Sequence, residues 1–354
     1  MFLYILIAVL FFGLLVGIHE LGHFSVAKAC GIRVEEFSIG MGPAIFKKQK
    51  GETLYSVRCV PFGGYCAMAG EDGESDDPRA FVNQCVWKRF LVLIAGSFMN
   101  FLLGLLIIFI LYSGAAAFQA PVIASFMDGC PYESVDAFQA GDRFLKIDGH
   151  RVYSTSDISE FLDGSSVHTV TLRRDGKKLT LKNIELTRRP YEGQDGLYYG
   201  FQLGYDEASF ANHLRYTWNE AMQFVRMVWS SLGMLLHGEA TVNDLSGPVG
   251  IVDIMAEAGE SAASAADAFF NIGYLGALIA VNLAVMNLLP IPALDGGRVF
   301  SLLLIAAIEK LTRKKLDPKY ESWVHAAGMM VLLALMAFIM FNDVVRIFNG
   351  GFGM

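Results

Sequence analysis

The stretch Ile18-His19-Glu20-Leu21-Gly22-His23 brings two imidazoles and a carboxylate together within five positions, directly after Phe2 to Ile18, which carry no charge at all. Side chains four apart share one face of a helix, so His19 and His23 can hold one metal ion together. Glu20 then stands beside that ion, where a carboxylate can take a proton from an attacking water. The chemistry open to such a set is metal-assisted hydrolysis. Ionisable groups at membrane depth are costly, so two histidines on an apolar helix argue for a function.

A third donor is found almost three hundred positions later. The segment Val281-Asn282-Leu283-Ala284-Val285-Met286-Asn287-Leu288-Leu289-Pro290-Ile291-Pro292-Ala293-Leu294-Asp295-Gly296-Gly297-Arg298 is apolar, but two prolines and two glycines interrupt it. Proline breaks the helix, and exposed backbone is tolerated at membrane depth only inside protein or beside water. Broken spans of this kind build ion and substrate sites. Asp295 is expected to lie in the break, as a hard oxygen ligand that completes a zinc site with two histidines.

Helices crossing a membrane must position these groups. The 354-residue chain is 54% hydrophobic and 18% charged, with a mean hydropathy of +0.42, a membrane-protein composition. The net charge of −7 offers nothing to nucleic acid. Runs long enough to span a bilayer are Phe2 to about Ala29, Phe90 to Tyr112, Ile272 to Ile308 (broken by prolines) and Trp323 to Phe341. Lys28, Arg33, Lys47, Lys48, Lys50, Arg58, Lys88 and Arg89 lie between the first two, and Lys310, Arg313, Lys314, Lys315 and Lys319 between the last two. Both connections are therefore expected in the cytoplasm, with the termini and the long middle region outside. The first run lacks a basic start and a cleavage site, so it reads as a retained span.

Between the first two spans, Gly31 to Gly70 reads as strands at Arg33–Ile39 and Thr53–Val60, with a hairpin end at residues 47–52. Pro61-Phe62-Gly63-Gly64-Tyr65 lets backbone pass close to a neighbour. Such a sheet is either an ordinary hairpin or one whose free edge accepts an extended peptide. In span two, Ala95, Gly96, Ser97 and Gly104 permit close helix approach. Asn100 there can bond across to a neighbouring helix or act near the metal. Pro121 to about Arg189 has the composition of a small α+β domain, with a helix at Ser156–Asp163 capped by Ser156 and a hairpin about Arg174-Asp175-Gly176-Lys177. Phe210 to Leu236 is amphipathic and suits an interfacial helix, with His213 and His237 as interfacial polar residues. Ser246 to Ile251 breaks the chain before another apolar helix. Cys30, Cys59, Cys66, Cys85 and Cys130 form no CxxC pair and read as small hydrophobes.

His19-Glu20-Leu21-Gly22-His23, together with Asn287-Leu288-Leu289-Pro290-Ile291-Pro292-Ala293-Leu294-Asp295-Gly296, resembles the paired motifs of site-2 proteases. The chain looks like the bacterial regulator-of-sigma-factor (RIP) metalloprotease type, and the likeness covers nearly the whole chain. The Ala140-Gly141-Asp142…Ile147-Asp148-Gly149 pattern, followed by helix and hairpin, resembles a PDZ domain. The resemblance implies a polytopic α-helical membrane protein of about four transmembrane helices, with a membrane-associated β-hairpin and one α+β PDZ domain. Its expected divisions are an N-terminal membrane region at 1–119, an extracytoplasmic PDZ domain at 120–206, interfacial helices and a loop at 207–271, and a C-terminal membrane region at 272–354.

In that family Zn2+ is bound by the residues matching His19, His23 and Asp295, and Glu20 matches the catalytic base. Asn282 and Asn287 match substrate-handling asparagines, and Ser246–Ile251 a recurrent loop. The implied activity is that of an intramembrane zinc metalloendopeptidase of the cell (plasma or inner) membrane, its active site towards the cytoplasm. It would cleave single-pass membrane proteins (anti-sigma factors or signal-peptide remnants) in regulated intramembrane proteolysis, in some cases after an upstream site-1 protease. Some relatives carry tandem PDZ domains, whereas this chain has room for one. Rival readings are a membrane-anchored PDZ module that binds without cutting and a metal transporter.

Overall fold

The computed structural model describes residues 2–71, 73, 75–134, 137–239, 247–313 and 318–348. Ser246 lies outside these, so the expected loop is described only from Gly247 onward. In chain order the elements are α1 (Phe2–Ala29), β1 (Val34–Lys50), β2 (Thr53–Met68), α2 (Val86–Tyr112), β3 (Ala117–Phe126), β4 (Arg143–Ile147), β5 (His150–Arg151) and α3 (Thr155–Leu162). They continue as β6 (Val167–Arg174), β7 (Lys177–Glu185), β8 (Arg189–Pro190), β9 (Leu197–Tyr198), β10 (Phe201–Glu207) and α4 (Phe210–His237). The chain then runs through α5 (Pro248–Glu260), α6 (Ala265–Met286), α7 (Asp295–Thr312) and α8 (Pro318–Phe348). Two compact units result, one of Met1–Ile108 with Phe224–Met354 and one of Phe109–Gln223.

Among the described residues, α1, α2, α6 and the Trp323–Val345 part of α8 are long and apolar enough to cross a membrane. This is the architecture of a membrane protein. Small residues set the helix spacing in the first unit. A methyl group on Gly104 of α2 would meet Val281 of α6 at 2.7 Å, and one on Gly276 of α6 would strike the Phe11 ring of α1. Ala8 and Leu15 of α1 are sealed against Met255, Ile272 and Ile279. Lipid is as apolar as these side chains, so close van der Waals packing rather than removal from water holds such helices together.

The hairpin is longer than the sequence suggests. β1 and β2 run on through Gly40, Gly42 and Gly63, all with positive φ. These glycines, which read as strand ends, act as bulges that bend a continuous ladder. Residues 36–39 pair with 64–67 along one edge and with 54–57 along the other. The base of this sheet packs Val34, Phe37, Cys66 and Met68 against Ala27 of α1 and Val92 of α2.

In the second unit a six-stranded sheet runs in the order β10-β3-β4-β6-β7, with β5 paired to β4. The β6–β7 turn is Asp175-Gly176, both at positive φ and joining Arg174 to Lys177, as a two-residue hairpin demands. Phe138, Phe144, Ile147, Leu162, Val170 and Leu172 form its core. Helix α3 starts one residue earlier than expected. Ser154, not Ser156, is its cap, because Asp157 three residues on closes a capping box with it.

The broken span also differs from expectation. α6 begins at Ala265, where Ser264 caps it by accepting from the Asp267 N–H at 3.1 Å. The helix stops at Met286, and Asp295 is the first residue of α7 rather than part of the break. An acidic side chain is favourable there, because the free N–H groups of a helix start are partly positive.

Candidate metal centre

Three donors converge in the first unit. His19 Nε2 lies 3.1 Å from His23 Nε2, and Asp295 Oδ2 lies 3.0 Å from the first and 3.3 Å from the second. A tetrahedral ion with bonds of about 2.0 Å has ligand–ligand edges of about 3.3 Å. The triangle therefore matches one face of a tetrahedral zinc site. Asp295 Oδ2 is buried and makes no hydrogen bond of normal geometry. A buried oxygen aimed at two imidazole nitrogens fits a shared cation. Among the described residues this is the one cluster of His, Cys, Asp or Glu with metal-binding spacing.

Helix α2 holds the imidazoles in place. The His23 Nδ1–H donates to the Val92 carbonyl at 2.8 Å, leaving Nε2 with the lone pair a metal needs. A methyl group on Gly96 would collide with His23 Nε2 and stand 2.7 Å from His19 Cε1. Gly22 presses on the Ala95 backbone in the same way. The glycines at 22 and 96 thus let α1 and α2 approach until both rings fit between them.

Asp295 is held by the turn before it. The Gly296 N–H donates to the Asn287 carbonyl at 2.7 Å, closing the break on itself. Methyl groups on Gly296 or Gly297 would run into the Leu288 and Ile291 carbonyls, so glycine is required at both. Ala293 has φ +82°, a strained value for a residue with a side chain. Its N–H donates to His325 Nδ1 at 3.3 Å, from α8. His325 is not among the residues expected from sequence, although an imidazole inside the apolar Trp323–Phe341 run is itself a signal.

A cavity of about 600 Å³ opens beside the donors, lined by His19, Glu20, His23, Asp295, Arg298 and the β2 segment 65–68. Gly64 lets that strand pass against Glu20, since a methyl group there would lie 3.3 Å from Glu20 Cγ. Among the described residues, 65–68 pair only with β1, so the edge on the other side carries no strand. Arg298 forms an ion pair with Glu71 at the wall of the cavity, a contact sequence reasoning also missed. Burial holds the Cys66 thiol up, well above the ordinary range, and leaves it a neutral part of the lining. Asn287 is the C-cap of α6 and its carbonyl accepts from the Gly296 N–H, and Asn282 lies half-buried further up the same helix. Neither is among the described residues lining the cavity.

The model of Peptidase family M50 matches residues 7–335. A Clostridium perfringens protein provisionally named a zinc metalloprotease is 37% identical over 97% of this chain and 99% of its own length. A similarly named protein of Clostridium acetobutylicum is 35% identical over 98% and 99% of the two chains. The zinc metalloprotease RasP of Shouchella clausii is 28% identical over 96% and 98%. With a paired-histidine helix, an aspartate opening a second helix and a peptidase-family match across nearly its whole length, the chain belongs to Peptidase family M50, the site-2 proteases.

Proposed function

We propose that the protein is an intramembrane zinc metalloendopeptidase, with His19, His23 and Asp295 as its metal ligands and Glu20 as its general base. The carrying observation is the donor triangle, whose 3.0, 3.1 and 3.3 Å edges suit zinc. A bound zinc ion supplies Lewis acidity to the attacking water and to the scissile carbonyl. The Glu20 carboxylate takes the proton from that water as it attacks and then delivers it to the departing amine nitrogen. Asn287, at the end of α6 beside the Asp295 turn, and Asn282 hold the substrate backbone or its developing oxyanion.

A helix hides its carbonyls in hydrogen bonds, so the substrate must be drawn out before it is cut. The open edge of residues 65–68 beside Glu20 supports capture of that segment as an added strand. The glycine at position 64 keeps the strand close enough for the base to reach it. Main-chain pairing of this kind is indifferent to side chains, which suits an enzyme acting on varied membrane segments.

The Phe109–Gln223 unit supports a PDZ reading through its Gly141-Asp142 turn, α3 beside β3 and the β6–β7 hairpin. The proposed arrangement puts this domain outside the cell membrane and the metal towards the cytoplasm, as the lysine and arginine distribution favours. Substrates are then single-pass membrane proteins, anti-sigma factors or signal-peptide remnants, in regulated intramembrane proteolysis. The PDZ domain turns away those still carrying bulky outer portions, so an upstream protease trims them first.

The test is cleavage of a panel of single-span substrates by detergent-purified protein, with and without a zinc chelator. Cleavage that the chelator stops and zinc restores is expected. Glu20→Gln is expected to keep the metal while losing about 10²- to 10⁴-fold in rate. Full activity of Glu20→Gln would refute the role given to this residue.

A further inference from the structure

Three α2 positions spaced four residues apart face the two imidazoles: Val92, Gly96 and Asn100. The first accepts the His23 Nδ1–H, and the second leaves room for both rings. The third places its carboxamide 3.4 Å from His19 Nδ1. Asn100 is 1% exposed, and its Oδ1 has no hydrogen-bond partner. Leaving a buried carboxamide oxygen without a donor is costly, so it needs an occupant.

His19 turns Nε2 towards His23 and Asp295, at 3.1 and 3.0 Å. When Nε2 gives its lone pair to a metal, Nδ1 carries the proton and must donate it. An amide NH2 cannot accept that proton. The same carboxamide turned by 180° about its last torsion fills the same space with Oδ1 facing Nδ1. That orientation satisfies the unpaired oxygen and the imidazole N–H together. It also gives His19 what the Val92 carbonyl gives His23.

We propose that Asn100 is a positioning residue, whose carboxamide oxygen accepts from His19 Nδ1–H and fixes the tautomer and ring plane of that ligand. This rests on the zinc reading above and adds the group that orients the second imidazole. One face of α2 then serves both ligands, with a backbone acceptor for one ring and a side-chain acceptor for the other. Acceptors of this kind raise the basicity of the ligand, and their loss typically weakens metal affinity 10- to 100-fold.

The test is a chelator-competition titration of zinc on the full-length protein in detergent, for wild type, Asn100→Leu and Asn100→Asp. Leucine keeps the volume without an acceptor, whereas a carboxylate can only accept. Asn100→Leu is expected to bind zinc about 10- to 100-fold more weakly, and Asn100→Asp to stay within about threefold of wild type. The visible absorption of the cobalt(II)-substituted protein should change in Asn100→Leu and match wild type in Asn100→Asp. Thermal midpoints of the chelated proteins separate a lost acceptor from a lost fold, and Asn100→Ala supplies the same readout should leucine not pack. A zinc-loaded wild type whose affinity is unchanged in Asn100→Leu overturns this inference alone. So does an Asn100→Asp loss as large as that of leucine. A wild type that holds no zinc overturns the metal reading and this inference with it.

Discussion

At the scale of single residues the proposed metal centre is defined as much by what is missing as by what is present. Gly96 has no side chain, and any Cβ there would intrude on both imidazoles. Gly96→Ala is therefore expected to lower zinc content about tenfold or more at a fixed chelator concentration, measured by atomic emission. Unchanged zinc would show that α1 and α2 can move apart at little cost. His325 supports the other side of the site through the Ala293 N–H. His325→Phe should weaken the strained turn before Asp295 by about 1 kcal/mol, the value of one neutral hydrogen bond, or roughly a fivefold loss in zinc affinity. The His-Glu-x-x-His spacing and the proline-flanked Asp295 were legible because residue type and local spacing carry them. The contacts of Val92 and His325 were not, since a bond across 69 or 32 positions leaves no local mark, even where an imidazole in an apolar run signals a role for His325 itself.

Among elements, α8 shows how a polar group is retained in an apolar helix. Asp343 of α8 is fully buried and accepts from the Gly247 and Gly250 N–H groups at 3.2 and 2.9 Å. Those are free donors at the start of α5, so the carboxylate serves as a cap supplied by another helix. Asp343→Ala should cost about 1–3 kcal/mol of stability, read as a lowered unfolding midpoint in detergent, because two buried N–H groups lose their acceptor. An unchanged midpoint would mean water replaces the carboxylate. The number of candidate spans and the approximate ends of the first, second and fourth were readable from apolar runs, since each must match a bilayer, whereas the third run divides into α6 and α7. The hairpin's length was hidden by Gly40, Gly42 and Gly63, because glycine marks both turns and bulges and only the ladder distinguishes them.

Over the whole molecule, the unit of Phe109–Gln223 should respond to pH through Asp206 and Tyr216. Burial pushes the Asp206 carboxyl up, but hydrogen bonds from Arg143 and Tyr216 outweigh it and hold the group below the usual range. Its stabilisation is complete above about pH 4 and is lost as pH falls through the lowered value. Burial first, and the bond to Asp206 second, push Tyr216 up to about 12. Its contribution is complete below about pH 10 and is lost as pH rises through that raised value. Unfolding midpoints should thus be flat between those limits, and Asp206→Asn should blunt the acid limb. A steep change between pH 6 and 8 would point to another group. On the proposed reading, helices from opposite ends of the chain share one cation. Anomalous diffraction at the zinc edge from crystals of the full-length protein tests this most directly. A single peak about 2 Å from His19 Nε2, His23 Nε2 and an Asp295 carboxylate oxygen is the result expected. Zinc-soaked crystals with no peak between those three side chains would contradict it.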